Sequence, residues 1–403
     1  MTTWASSASL EILPPEIQCH ILKQIPDITT LHALLRASPR YFQVYRVFQA
    51  VVLSHVTRNQ ITPALLPLAL DALEWRKCRE SPRDCAAVLV FLQNFRQKTP
   101  SQPRKLSLEI SKELLRFHNN VVEFFISDFA RNRLAVVDNY LHSRIPSESL
   151  TTSACETCAP ILSHTEHFRL ARAFYYLELY GNLCYHTPPW DDDNIPYLEQ
   201  LRFFDRLREW ELEEFMCVQH YMFEKLSDYL NRVEDDCMQD FLEDEPYVIE
   251  PFGPNSRWER EDIFFSDLSQ GRSQESWLEG CLTRGLRRLK TMLTADTFEA
   301  RLDAFGPIHL PDTTLTHVLW QLPPYDYRYR ASQDKLQPFD PNAEFRDDSE
   351  KPSIGWSWAT EAIRLPEDSM KYPSSKVLNG MRRWGYGIWD HWRLQSLGIF
   401  TKK

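Results

Sequence analysis

The chain has 403 residues with 46 basic and 56 acidic side chains, a formal net charge of −10. That balance gives no overall attraction for nucleic acid, whose binding draws on clustered Lys and Arg. No run of about eighteen apolar residues occurs, and the amino terminus has no basic region leading into an apolar stretch, so neither a membrane span nor secretion is expected.

After an N-terminal tail over residues 1–9, Leu13-Pro14-Pro15-Glu16 opens a first helix, because proline and an acid both suit the first helical turn. Ile17, Ile21 and Ile25 recur every fourth residue with Leu22 beside them, and Pro26 stops the helix. Asp27 then reads as the cap of a second short helix with Leu31, Leu34 and Leu35 on one face. Ser38-Pro39 repeats the cap-then-proline pattern and opens a third helix carrying Tyr41, Phe42, Tyr45 and Phe48, with 47–58 as its extension. Three short helices bury little surface alone, so the segment either docks on a partner or forms the first part of a larger helical core.

Further helices are expected over 62–80, 81–97, 111–142 (one or two), 162–185, 207–242, 273–293 and 374–397. Exposed loops are expected near 247–270 and 323–352, where proline and charge replace periodicity. No 20–50-residue repeat is visible, and eleven glycines are few for a propeller or a nucleotide-binding sheet. The fold class is therefore all-α, a short N-terminal module over 10–50 followed by a large irregular helical body over 51–403.

Nine cysteines, an odd number scattered through helical segments, read as reduced thiols, which places the chain in the cytoplasm or nucleus. Cys155 and Cys158 followed by His164 and His167 have metal-ligand types, but the two pairs lie too close together for a zinc finger. Asp191-Asp192-Asp193 and the acidic run 234–245 lack the spacing and glycine turn of a calcium loop. Arg284, Arg287, Arg288 and Lys290 form a basic stripe that reads as a solvated helix face. With no nucleophile elbow or phosphate-cradling loop, no cofactor is expected and an enzyme is disfavoured. Trp356, Trp358, Trp384, Trp389 and Trp392 cluster near the end, either as core filling or as a target-binding surface.

The order Leu13-Pro14-Pro15-Glu16-Ile17, Ile21-Leu22, Leu31 to Arg36 and Ser38-Pro39-Arg40-Tyr41-Phe42 resembles the F-box, in the F-box-like form common in fungal proteins. The resemblance implies a module that binds a Skp-family adaptor and, through it, a cullin-based ubiquitin ligase. Leu13, Pro14, Ile17, Ile21, Leu22, Leu31, Leu34 and Leu35 would present the apolar docking surface, and the body would hold a target protein. Where many F-boxes carry a Val-Cys-x-x-Trp pattern, this chain has Ala37 to Phe42. A looser similarity to uncharacterised fungal F-box-like proteins covers Arg172-Ala173-Phe174-Tyr175, Glu178-Leu179-Tyr180, Trp384-Gly385-Tyr386, Trp389-Asp390 and Arg393-Leu394. The rival expectation is a helical scaffold whose N-terminal end only completes its own core. A weaker third is a metal-dependent enzyme centred on Cys155, Cys158 and Asp191 to Asp193.

Overall fold

The computed structural model describes residues 10–78, 85–95, 105–144, 160–184, 202–204, 206–243, 274–305, 350–363 and 375–399. Among these residues there is no strand, so the chain is all-α. It divides into two compact units, residues 1–74 with 98–123, and residues 75–97 with 124–403.

The first unit follows the punctuation of its sequence. A 3-10 turn, Leu10–Ile12, precedes α1 (Pro15–Lys23), α2 (Ile28–Ala37) and α3 (Pro39–Gln60). Pro15 and Pro39 stand in the first turns of α1 and α3, where a missing N–H costs nothing. Asp27 caps α2 by accepting the Thr30 N–H at 2.8 Å, and Ser38 caps α3 by accepting the Tyr41 N–H at 3.3 Å. The extension of α3 past residue 46 is present, with one non-helical residue, Phe48 (φ −107°, ψ 20°), breaking its line.

Side chains near the end of α3 fasten the helices together. The Asn59 amide donates to the Lys23 and Ile25 carbonyls, both at 2.9 Å, and so satisfies acceptors that α1 leaves open at its C-terminal end. Gln60 accepts the Ile28 N–H at 3.1 Å and donates to the Asn119 side chain at 2.8 Å. The core is formed by Leu22, Leu31, Val52 and Val56, none of them exposed, with Tyr41 and Leu115. Leu115 comes from α6 (Leu108–Phe117), which continues into a π-helical turn, His118–Val122. The compact unit therefore runs on past residue 50 and takes in a helix from beyond it, because three short helices leave an apolar side that α6 covers.

Between these segments lie α4 (Leu66–Cys78), which runs across the division after Glu74, and α5 (Cys85–Asn94). The second unit is organised around α8 (His164–Cys184), in which every residue from Phe168 to Leu183 is buried. Beside it in sequence is α7 (Glu123–Arg144), and along it packs α9 (Glu209–Glu243). Aromatic pairs fill the space between: Phe174 stacks on Phe125 with centroids 5.5 Å apart, and Tyr180 packs edge-on to Phe215 at 6.0 Å.

Two expected helices are each two. The segment 273–293 forms α10 (Gln274–Leu282) and α11 (Leu286–Leu293), separated by Gly285 at φ +82°, a conformation that breaks the helical path. Further on, α12 (Phe298–Phe305) and α13 (Ile354–Ile363) are short helices not expected from the sequence. The final segment forms α14 (Ser375–Arg383) and α15 (His391–Ser396) around a bend at Gly385. Gly385 has φ +74°, and a Cβ there would meet the Phe129 ring at 3.1 Å. The expected loop 247–270 lies outside the described residues, as does 323–349.

Candidate functional site

The residues proposed for adaptor docking differ in burial. Leu22 and Leu31 are 0 % exposed and belong to the first unit's own core. Burying each contributes on the order of 1.5–3 kcal/mol to that core. Ile21, Leu34 and Leu35 are half-buried against the same cluster. Leu13 is likewise half-buried, whereas Pro14 is exposed and Ile17 is 46 % exposed. The helical spacing of the sequence put Ile17, Ile21 and Leu22 on the apolar side of one helix and Leu31, Leu34 and Leu35 on that of the next; it could not tell the inner edge of either from the outer. Large apolar side chains that the spacing did not single out as surface residues are also exposed: Leu10, Ile12, Phe42, Val47 and Val51. A monomer usually covers such side chains when they form one patch.

The carboxy-terminal tryptophans divide in the same way. Trp389 is fully buried, donates its indole N–H to the Trp384 carbonyl at 2.7 Å and lies 6.0 Å from the Phe129 ring. Trp356 is buried edge-on against Trp210 at 5.9 Å, and Trp384 is half-buried beside Tyr386 at 6.1 Å. These fasten the tail to the second unit. Trp358 (41 % exposed) and Trp392 (52 %) remain as candidates for contact with another molecule, Trp392 with the Arg393 guanidinium 4.5 Å from its ring centroid.

What the sequence did not foresee is a set of buried ion pairs joining the mid-chain and C-terminal stretches. Glu166, at the start of α8, accepts from the Arg393 guanidinium at 2.7 and 2.6 Å and from the Asp390 N–H at 3.1 Å. Arg169, one turn on, donates to Asp390 at 2.7 Å and to the Ile388 carbonyl at 2.9 Å. Asp390 also accepts from Thr165 at 2.6 Å. Burial pushes the Asp390 carboxyl up, but hydrogen bonds from Ser163, Thr165 and Arg169 outweigh it and hold it below its ordinary range.

On α9, Glu213 takes both arms of the Arg382 guanidinium, at 3.0 and 2.7 Å, and the Tyr386 hydroxyl at 2.9 Å. Arg172 does the reverse, placing one guanidinium between two carboxylates: Glu214 at 2.9 and 2.7 Å and Glu211 at 3.3 Å. Burial pushes the Glu214 carboxyl up against the pull of Arg172. Burial works against the charge on Arg172 too, but Glu214 and Glu211 outweigh it and strengthen its hold on the proton. Glu178 caps α11 by accepting the Leu286 N–H at 2.7 Å, where the cap residue Gly285 has no side chain to do so. These groups are paired with one another, and the pairs tie α8 to α9 and both helices to the C-terminal segment.

The basic stripe is likewise engaged. Arg284 and Arg288 donate to the Ala304 and Asp303 carbonyls at the end of α12, at 3.2 and 2.8 Å, and Lys290 sits 4.8 Å from the centroid of Phe124. Among the described residues no group of three or more His, Cys, Asp or Glu side chains is placed to hold a metal ion. Cys155, Cys158 and Asp191 to Asp193 lie outside the described residues, as do 244 and 245 of the acidic run. Cys19, Cys217 and Cys281 are free and buried, and burial pushes the Cys217 and Cys281 thiols up to about 12. Among the described residues no helix is long and apolar enough to cross a membrane.

No protein-family model, curated protein or solved structure matches the chain.

Proposed function

We propose that the chain is an F-box-type adaptor, which docks a Skp-family protein of a cullin-based ubiquitin ligase through its N-terminal helices and holds a target on its helical body. The observation that carries this reading is the exposure of Pro14 and Ile17, beside the half-buried Leu13, at the start of a helix whose inner side is already packed. Leu22 and Leu31 hold that helix in place, and Ile21, Leu34 and Leu35 form the rim of the contact. Trp358 and Trp392 are the aromatic candidates for target contact.

Such a protein makes and breaks no bonds. It raises the effective concentration of an acceptor lysine beside a ubiquitin-loaded enzyme, in the cytoplasm or nucleus, while the chemistry belongs to other subunits. The test is co-purification of a Skp-family adaptor with the full chain and with a Leu13→Ala, Pro14→Ala double variant. Adaptor recovery should fall to background while the helical circular-dichroism signal and melting temperature stay unchanged. Equal recovery from both proteins would overturn the reading.

A second reading is a helical scaffold with no link to ubiquitin transfer. It is favoured by Leu115 of α6 entering the N-terminal core, since the three helices then complete a unit of this chain's own. It predicts no adaptor in either purification.

A further inference from the structure

At the junction of α2 and α3 a single serine carries several roles. Ser38 is the one residue between the two helices, and its backbone is extended at φ −135°, ψ 110°. Its hydroxyl accepts the Tyr41 N–H as the α3 cap and donates to the carboxylate of Glu11 in the preceding 3-10 turn. The same turn is tied to α1, because the Glu11 carbonyl accepts from the Gln18 amide at 2.9 Å. Arg36, Ala37, Pro39 and Arg40 are all exposed, whereas Ser38 is 5 % exposed. Both flanks of the serine are therefore open, and a carboxylate is bonded to its hydroxyl.

Two further observations point to an anion at this place. The α3 helix is 22 residues long and has no acidic residue in its first turn, so the negative charge its N-terminus favours comes from Glu11. Tyr41 is 3 % exposed, and its hydroxyl has no hydrogen-bond partner. Burial, with the Glu11 charge, pushes the Tyr41 phenol up, so the hydroxyl stays protonated and able to donate. The N-terminus of α3 thus holds an occupied anion position with an unused donor in the field of that anion.

We propose that Ser38 is a phosphorylation site for a proline-directed protein kinase, and that the phosphate takes over the anion position Glu11 now fills, releasing the Leu10–Ile12 turn. In the transfer the bond from the γ-phosphorus of a nucleoside triphosphate to its bridging oxygen breaks and the Ser38 Oγ–P bond forms. The hydroxyl proton passes to the kinase's base, and the nucleoside diphosphate leaves. The new group brings about −1.5 to −2 charge and three acceptor oxygens, which suits the helix N-terminus and repels Glu11. Release would uncover Gln18, which is fully buried under the turn with an unpartnered side-chain oxygen. This inference stands apart from the adaptor reading.

The chain supplies its own comparison sites, since Thr62-Pro63, Ser81-Pro82, Thr99-Pro100 and Thr187-Pro188 carry the same dipeptide type. The full-length protein, its Glu11→Ala variant and a peptide spanning residues 33–43 are incubated with a proline-directed kinase and ATP, and labelled positions are located by mass spectrometry. Phosphate is expected on Ser38 in all three, about tenfold faster in Glu11→Ala than in the unaltered protein, since the hydrogen bond closing the site is gone. A peptide that is not labelled, or labelled comparison sites with Ser38 bare in both proteins, overturns the proposal.

Release is read by amide hydrogen exchange. Phosphorylated protein, and a Ser38→Asp variant that keeps a capping side chain, should exchange about tenfold faster at Glu11 to Leu13 while α3 stays protected. Unchanged exchange in the phosphorylated protein overturns the release.

Discussion

Glu166 and Arg393 face each other through two hydrogen bonds of 2.7 and 2.6 Å although 227 residues separate them in the chain. The Glu166 side chain is fully buried and that of Arg393 nearly so. A buried pair of this kind is costly to break from one side, because the charge left behind has no water. Arg393→Ala should therefore destabilise the protein by about 3–5 kcal/mol. Replacing both partners with apolar residues, Glu166→Leu with Arg393→Met, should cost less than Arg393→Ala alone. Urea unfolding of the three proteins, followed by circular dichroism, checks the order.

A second pair gives a pH signature. Burial pushes the Glu224 carboxyl up, but hydrogen bonds from His220 and Arg133, with the charge of Arg133, outweigh it and bring it down from 4.5 to about 2. A carboxyl depressed in the folded state contributes stability that is fully present above its unfolded value and lost as pH falls through the folded one. Glu224→Gln should therefore differ most from the unaltered protein above pH 4.5, with the difference shrinking from 4.5 toward 2. Melting temperatures of both proteins across that range test it, and a difference that grows on acidification would contradict it.

The tryptophans provide a contrast between core and surface within one short segment. Trp389→Ala removes a fully buried ring and should cost about 3–5 kcal/mol. Trp392→Ala alters a half-exposed ring and should shift stability by less than about 1 kcal/mol. Thermal unfolding of the two variants separates them, and comparable losses would show that Trp392 is also structural.

The N-terminal helix offers the same contrast. Leu22→Ala should cost about 2–5 kcal/mol, whereas Ile17→Ala, at 46 % exposure, should cost less than about 1 kcal/mol. The measured quantity is the urea midpoint of the full chain.

Local signals carried most of the helical reading, and the reason is visible in particular residues. Asp27, Pro15, Ser38 and Pro39 act within a turn of where they stand, so their positions mark α1 to α3 directly. Gly285 and Gly385 are also local, but a glycine within an apolar pattern does not announce a positive φ, and each hid a break between two helices. Burial was less legible: Leu22 and Ile17 share a stripe, yet one is 0 % and the other 46 % exposed, because which edge faces inward depends on α3 and α6. The ion pairs were not legible at all. Glu213 lies among Glu209, Glu211 and Glu214 in the sequence, and nothing local marks Arg382 and Tyr386, from the far end of the chain, as its partners.

The pairing of α8 and α9 with the tail also bears on synthesis, which proceeds from the amino end. Glu166, Arg169 and Glu213 emerge from the ribosome long before Asp390, Arg393 and Arg382, the groups that neutralise them. Until those arrive, burying Glu166 or Glu213 would strand a charge away from water, so enclosing these two side chains is least costly once the last segment is free to pair with them.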